Sequence, residues 1–154
     1  MPFKFRAQAA LDLRSRQLQD AQRELARAEG DRDAARLRVA QAEEALEAAR
    51  AQGADAQRTA TDCTALQWYQ FWILRLSHER KAHAATLAAR EEVVQRAAAA
   101  CMRAQQKREA LDRFREKALL GYEAAEAEAE RKLIDELATR RYAATRQSAL
   151  SQQS

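Results

Sequence analysis

The chain has 154 residues, 27 Lys and Arg against 23 Asp and Glu, a net charge of +4 and 47% hydrophobic residues. About half of those hydrophobics are alanine, which offers far less burial than the roughly 1.5–3 kcal/mol of a buried Leu, Ile, Val, Phe or Met. One proline, at position 2, and three glycines leave little turn material, which excludes a sandwich, a barrel or a doubly wound sheet. Ala, Glu, Lys, Leu and Arg exceed half of the chain, the composition of long helices and coiled coils.

Several function classes fall with these counts. The longest uncharged stretch, Cys63 to Leu74, is far below the roughly 20 residues of a spanning helix, so no direct membrane insertion is expected. The opening Met-Pro-Phe-Lys-Phe-Arg has no apolar signal region, and a cytoplasmic location is expected. Cys63 and Cys101 on one helix would stand roughly 57 Å apart, too far to bond or to share a metal. His78 and His83 are five apart rather than the four that put two ligands on one helical face. Neither a metal site nor a cofactor is expected. Positive charges are interleaved with negative ones along the whole length, whereas a nucleic-acid groove gathers basic residues on one face, so no nucleic acid is expected as a partner.

From the N-terminus, a seven-residue repeat dominates. Leu11, Leu18, Leu25, Val39 and Leu46 occupy one heptad position, with Arg32 the single interruption, and Ala21, Ala28, Ala35, Ala42 and Ala49 follow three residues later in each repeat. A mean spacing of 3.5 keeps such a stripe on one partner helix. Alanine at alternate seam positions lets the partner backbone approach closely and favours two strands. Around Gly53 the pattern fails, and residues 51–64 hold no large apolar side chain. A break over about 53–62 is predicted, with Thr61 or Asp62 capping a second helix.

The second segment opens on Leu66, Trp68, Tyr69, Phe71, Trp72, Ile73, Leu74 and Leu76. It then resumes heptad spacing through Leu87, Val94 and Cys101, with Ala97, Ala104, Leu111, Ala118 and Ala125 as the second stripe. The expectation is an all-α fold: an elongated antiparallel two-helix coiled coil (a helical hairpin) with a longer C-terminal helix. It would form a single coiled-coil domain over 1–154, with helix 1 at about 3–52, helix 2 at about 62–145 and a frayed tail over 146–154. A single very long helix paired with a second chain is the competing arrangement. In the hairpin, some 30 residues of helix 2 overhang helix 1, gaining no tertiary burial of their own.

No phosphate loop, nucleophile elbow, HExxH or paired-Cys motif occurs, and a two-stranded rod has no pocket in which carboxylates could be desolvated. A non-enzymatic protein is expected. The aromatics from Trp68 to Leu76 point in nearly all directions around a helix. They read either as a plug at the closed end of the hairpin or as exposed material for a partner.

Three segments resemble the FliJ family of the bacterial flagellar type III export apparatus: Phe3-Lys-Phe5-Arg-Ala-Gln8-Ala-Ala-Leu11-Asp-Leu13-Arg14, Trp72-Ile-Leu-Arg-Leu76, and Glu128 through Arg141 with its Asp135-Glu136 pair. Ala7 departs from the leucine common there. The resemblance implies a coiled coil similar to the central stalk of rotary ATPases. Such a stalk promotes assembly of a hexameric flagellar export ATPase, couples it to the export-gate membrane protein and escorts export chaperones, at the cytoplasmic side of the flagellar base. It implies an ATPase interface of Phe3, Phe5, Gln8, Leu11, Arg14, Glu130, Lys132, Asp135, Glu136 and Arg141. It further implies a gate or chaperone interface at Trp68, Tyr69, Trp72 and Leu76. The alternative is a structural coiled coil or export chaperone, of the flagellar or a virulence type III secretion system, without ATPase coupling.

Overall fold

The computed structural model describes residues 2–59 and 62–152 and is all-helical, without a strand among those residues. Helix α1 spans Gln8–Thr59 and α2 spans Cys63–Ser151. They form an antiparallel helical hairpin whose second helix is the longer. The direction is visible in the cross-helix ion pairs: Asp31 meets Arg90 and Glu43 meets Arg80, so rising numbers on α1 face falling numbers on α2.

Contacts divide the chain into two units, one of Met1–Arg14 with Lys107–Ser154 and one of Ser15–Gln106. In the second unit the α1 heptad stripe is the seam. Leu18, Ala28, Ala35, Leu46 and Ala49 are buried, and Ala21, Leu25, Arg32, Val39 and Ala42 are half-buried. Leu46, Ala49 and Leu76 form its buried cluster, with Ile73 against them. The α2 stripe answers with half-buried His83, Leu87, Val94, Ala97, Cys101 and Ala104. The small residues work as the repeat predicts: alanine on α1 reaches 2–6% exposure because a methyl group lets the helices close up.

Helix boundaries differ from the sequence expectation in three places. First, α1 runs through Gly53 to Thr59 instead of ending near 52. A lone glycine costs a helix only about 1 kcal/mol, and here it is buried between Tyr69 and Ile73 of α2, so packing offsets the cost. Second, α1 starts at Gln8 rather than near 3, because Phe3 and Phe5 lie against α2. Third, α2 continues to Ser151, beyond the expected fraying at 145. The hydroxyls of Thr145, Ser148 and Ser151 donate to the carbonyls of Arg141, Thr145 and Ser148.

The turn is short. Thr61, one of the two predicted caps, lies outside the described residues. Asp62, the other, caps α2: its Oδ1 accepts the Thr64 N–H at 2.9 Å, satisfying one of the free amides of the first turn.

Candidate interaction surfaces

In the first unit, the segment before α1 lies against α2 through two aromatic contacts. The Phe3 ring stands 5.5 Å from Tyr122 and the Phe5 ring 5.5 Å from Phe114, both tilted, a geometry that adds about 0.5–1.5 kcal/mol per pair beyond burial. The Gln8 N–H then donates to the Phe5 carbonyl at 3.2 Å, leading the segment into the first turn of α1. The Gln8 side chain donates to Asp12 at 2.9 Å. Phe3, Lys4, Phe5, Gln8 and Arg115 line a shallow cleft of about 380 Å³.

Leu11 is buried, Arg14 is half-buried, and Phe3 and Phe5 are half-buried. Of the residues expected at an ATPase interface, Leu11, Phe3 and Phe5 therefore spend their apolar area within the chain. The N-terminal segment faces α2 near residues 114–122 and is not brought against Glu130 to Arg141.

Beyond Tyr122, every residue from 123 to 152 is exposed. Glu130, Lys132, Asp135, Glu136 and Arg141 all stand on this free helix, and Ala125, expected in the seam, is exposed with them. Lys132 pairs with Glu128 at 2.7 Å. Leu133, Ile134 and Leu137 are 57%, 57% and 48% exposed, and their i, i+1, i+4 spacing puts them on one face. In sequence its spacing is the one signal of this stripe, and it is hidden among seam residues of similar type.

Tyr122 closes the paired stretch. Its hydroxyl donates to the Glu126 carboxylate. That hydrogen bond, followed by desolvation and the carboxylate charge, raises its pKa above the ordinary 10.0, since all three favour the neutral phenol.

In the second unit, the aromatic segment splits into two faces. Leu76 is buried and Tyr69 and Ile73 are half-buried against α1. Trp68, Phe71, Trp72 and Leu74 are exposed. Trp68 and Trp72 stack at 5.9 Å with planes 11° apart, and Tyr69 meets Trp68 edge-on at 5.1 Å. The Arg75 guanidinium lies 5.8 Å from the Trp72 ring and its Nε is 3.3 Å from Glu79. The segment is thus a plug on one side and an open aromatic face on the other. Leu76 belongs to the plug, while Phe71, 71% exposed, belongs to the open face.

Among the described residues no group of acidic, His and Cys side chains is arranged to hold a metal ion. No helix there is long and apolar enough to cross a membrane. Cys63 is exposed and Cys101 half-buried, both free. A family model described as "Flagellar FliJ protein" matches residues 3–147. No curated protein and no solved structure matches the chain.

Proposed function

The chain belongs to the flagellar FliJ protein family and is a component of the flagellar export apparatus, and from that premise we propose that it is a non-enzymatic stalk for the hexameric export ATPase. In this reading it promotes assembly of the ATPase ring, couples it to the export gate and escorts export chaperones at the cytoplasmic side of the flagellar base.

The observation that carries the proposal is the free helix after Tyr122. Its Leu133, Ile134 and Leu137 side chains are exposed on one face, with Glu130 before them and Arg141 after them. An isolated helix gains no tertiary burial, and exposed apolar anchors rimmed by charge are the material of protein interfaces. A ring of surrounding subunits would supply the missing burial. Lys132, Asp135, Glu136 and Arg141 would make its polar contacts. Phe3, Phe5 and Leu11 support this surface by holding the N-terminus on α2, with Gln8 and Arg14 beside them on the first turns of α1.

The gate or chaperone surface is assigned to the open aromatic face, Trp68 and Trp72, joined by Phe71 and Leu74. Tyr69 and Leu76 hold that face in place from the seam side.

The deciding experiment measures hydrolysis rate and hexamer population of the purified export ATPase from the same cell, with and without this chain at fixed salt. Increased turnover with more hexamers is expected. The Asp135→Lys/Glu136→Lys variant should stimulate weakly at unchanged helicity. Full stimulation by that variant would refute the interface, and no stimulation by the parent chain would refute the stalk.

A further inference from the structure

The α1 seam repeats so regularly that it does not, by itself, say where α2 should stop sliding. Leu18, Leu25, Val39 and Leu46 recur every seven residues, and alanines follow at 21, 28, 35, 42 and 49. A slip of α2 by one heptad, about 10.5 Å along the axis, would again lay apolar side chains against leucine and alanine. Periodic seams of this kind need a polar residue to choose among registers.

Arg32 is that residue in position and in surroundings. It occupies the heptad site of the leucines, and its side chain is only 23% exposed. Its Nε and Nη2 donate to Asp33 Oδ1 at 3.0 and 2.9 Å. Across the seam it shares a cleft with Arg36 and with Glu91, Val94 and Gln95 of α2, so the facing helix offers an acid and an amide at this level. Moving α2 by seven residues one way would bring Ala98, Cys101 and Met102 there instead. Moving it the other way would bring Ala84, Leu87 and Ala88. Neither set offers a charge or an amide to a half-buried guanidinium.

The three cross-helix ion pairs select the same register. Arg36 lies 3.6 Å from Glu91, Arg80 lies 3.4 Å from Glu43 and Arg90 lies 3.7 Å from Asp31. A one-heptad slip would put Ala98 or Ala84 opposite Arg36, Leu87 or Ile73 opposite Glu43, and Ala97 or His83 opposite Asp31. These pairs are exposed enough to add little individually. Arg32 differs because it sits half-buried in the seam: Asp33 pairs with it in any register, but only the present one also sets an acid and an amide of α2 beside it, and a half-buried charge facing apolar side chains instead is costly.

We propose that Arg32 is the register-determining residue of the Ser15–Gln106 unit, placed in the seam at the expense of stability so that one heptad alignment of α1 and α2 excludes its neighbours.

The test is a distance measurement on the full chain. Nitroxide labels are placed at the exposed positions Asp20 and Lys81 through Asp20→Cys/Lys81→Cys, in a Cys63→Ser/Cys101→Ala background. Pulsed dipolar spectroscopy should give one distance, roughly 33 Å if the labels follow the helix axis. Arg32→Leu should melt at a higher temperature, because leucine restores the seam, and should add a second population displaced by about 10 Å. Arg32→Lys should keep the single distance. An Arg32→Leu chain that holds the one parental distance would overturn the proposal and assign the register to the Asp62-capped turn. An Arg32→Leu chain that melts lower would also overturn it, since Arg32 would then stabilise the seam. Two populations in Arg32→Lys would rule out the positive charge as the selecting feature.

Discussion

Gly53 of α1 and Ile73 of α2 are so close that a Cβ on the glycine would stand 3.3 Å from Ile73 Cδ1, with Tyr69 Cβ at 3.7 Å. The helix therefore continues through a residue that ordinarily weakens it, because the absent side chain is where α2 enters.

That contact sets three glycines apart by substitution. A Cβ at Gly30 or Gly121 would meet nothing within 4 Å, so Gly30→Ala and Gly121→Ala should each stabilise by about 0.5–1 kcal/mol. Gly53→Val should instead destabilise by about 1–3 kcal/mol through overpacking. Urea unfolding of the three variants decides it, and a stabilised Gly53→Val would show that α2 does not depend on that approach.

Within the aromatic segment, stability and recognition should separate by face. Leu76 is 7% exposed beside Leu46 and Ala49, and Leu76→Ala should cost about 2–3 kcal/mol. Phe71 lies outside the seam, and Phe71→Ala should stay within about 0.5 kcal/mol of the parent. If Phe71→Ala also leaves gate and chaperone binding intact, the open face is not the docking surface.

The cap at Asp62 is a third point of leverage. Removing its carboxylate with Asp62→Ala frees the Thr64 N–H and should cost about 1 kcal/mol. Asp62→Asn, which can still accept that hydrogen bond, should recover most of it. Thermal melts of the pair suffice, and equal losses in both would point to charge rather than capping.

Tyr122 should titrate late. Its phenol is held neutral by Glu126, so ultraviolet titration of the chain should show one tyrosine ionising above the ordinary value of 10.0, removed by Tyr122→Phe. Glu126→Ala should bring it down. Because the folded pKa is the raised one, the contribution to stability is complete below pH 10 and fades as pH rises through the folded value.

Heptad spacing identified Leu18, Leu25, Val39 and Leu46 as seam because period is a property of the chain alone. Charge and composition excluded a membrane span for the same reason. Phe114 and Tyr122 carry no such mark, since nothing local says that an aromatic on α2 will meet Phe3 or Phe5 more than a hundred residues away. Leu76 belongs to the segment where the family resemblance implies a partner surface, yet 100° per residue turns it inward while Phe71 turns out.

Amino-acid sequence by itself determined the all-helical state, the two-stranded seam, the placement of alanines where helices must close up, and membership in the FliJ family. Those follow from periodicity, propensity and motif, all of which are local. Tertiary structure alone decided that Gly53 is a contact and not a stop, that Phe3 and Phe5 fasten the N-terminus to α2, and that Glu91 and Gln95 share a cleft with Arg32. Each of these depends on the register between two helices, a long-range quantity that a repeating seam leaves open until particular side chains meet.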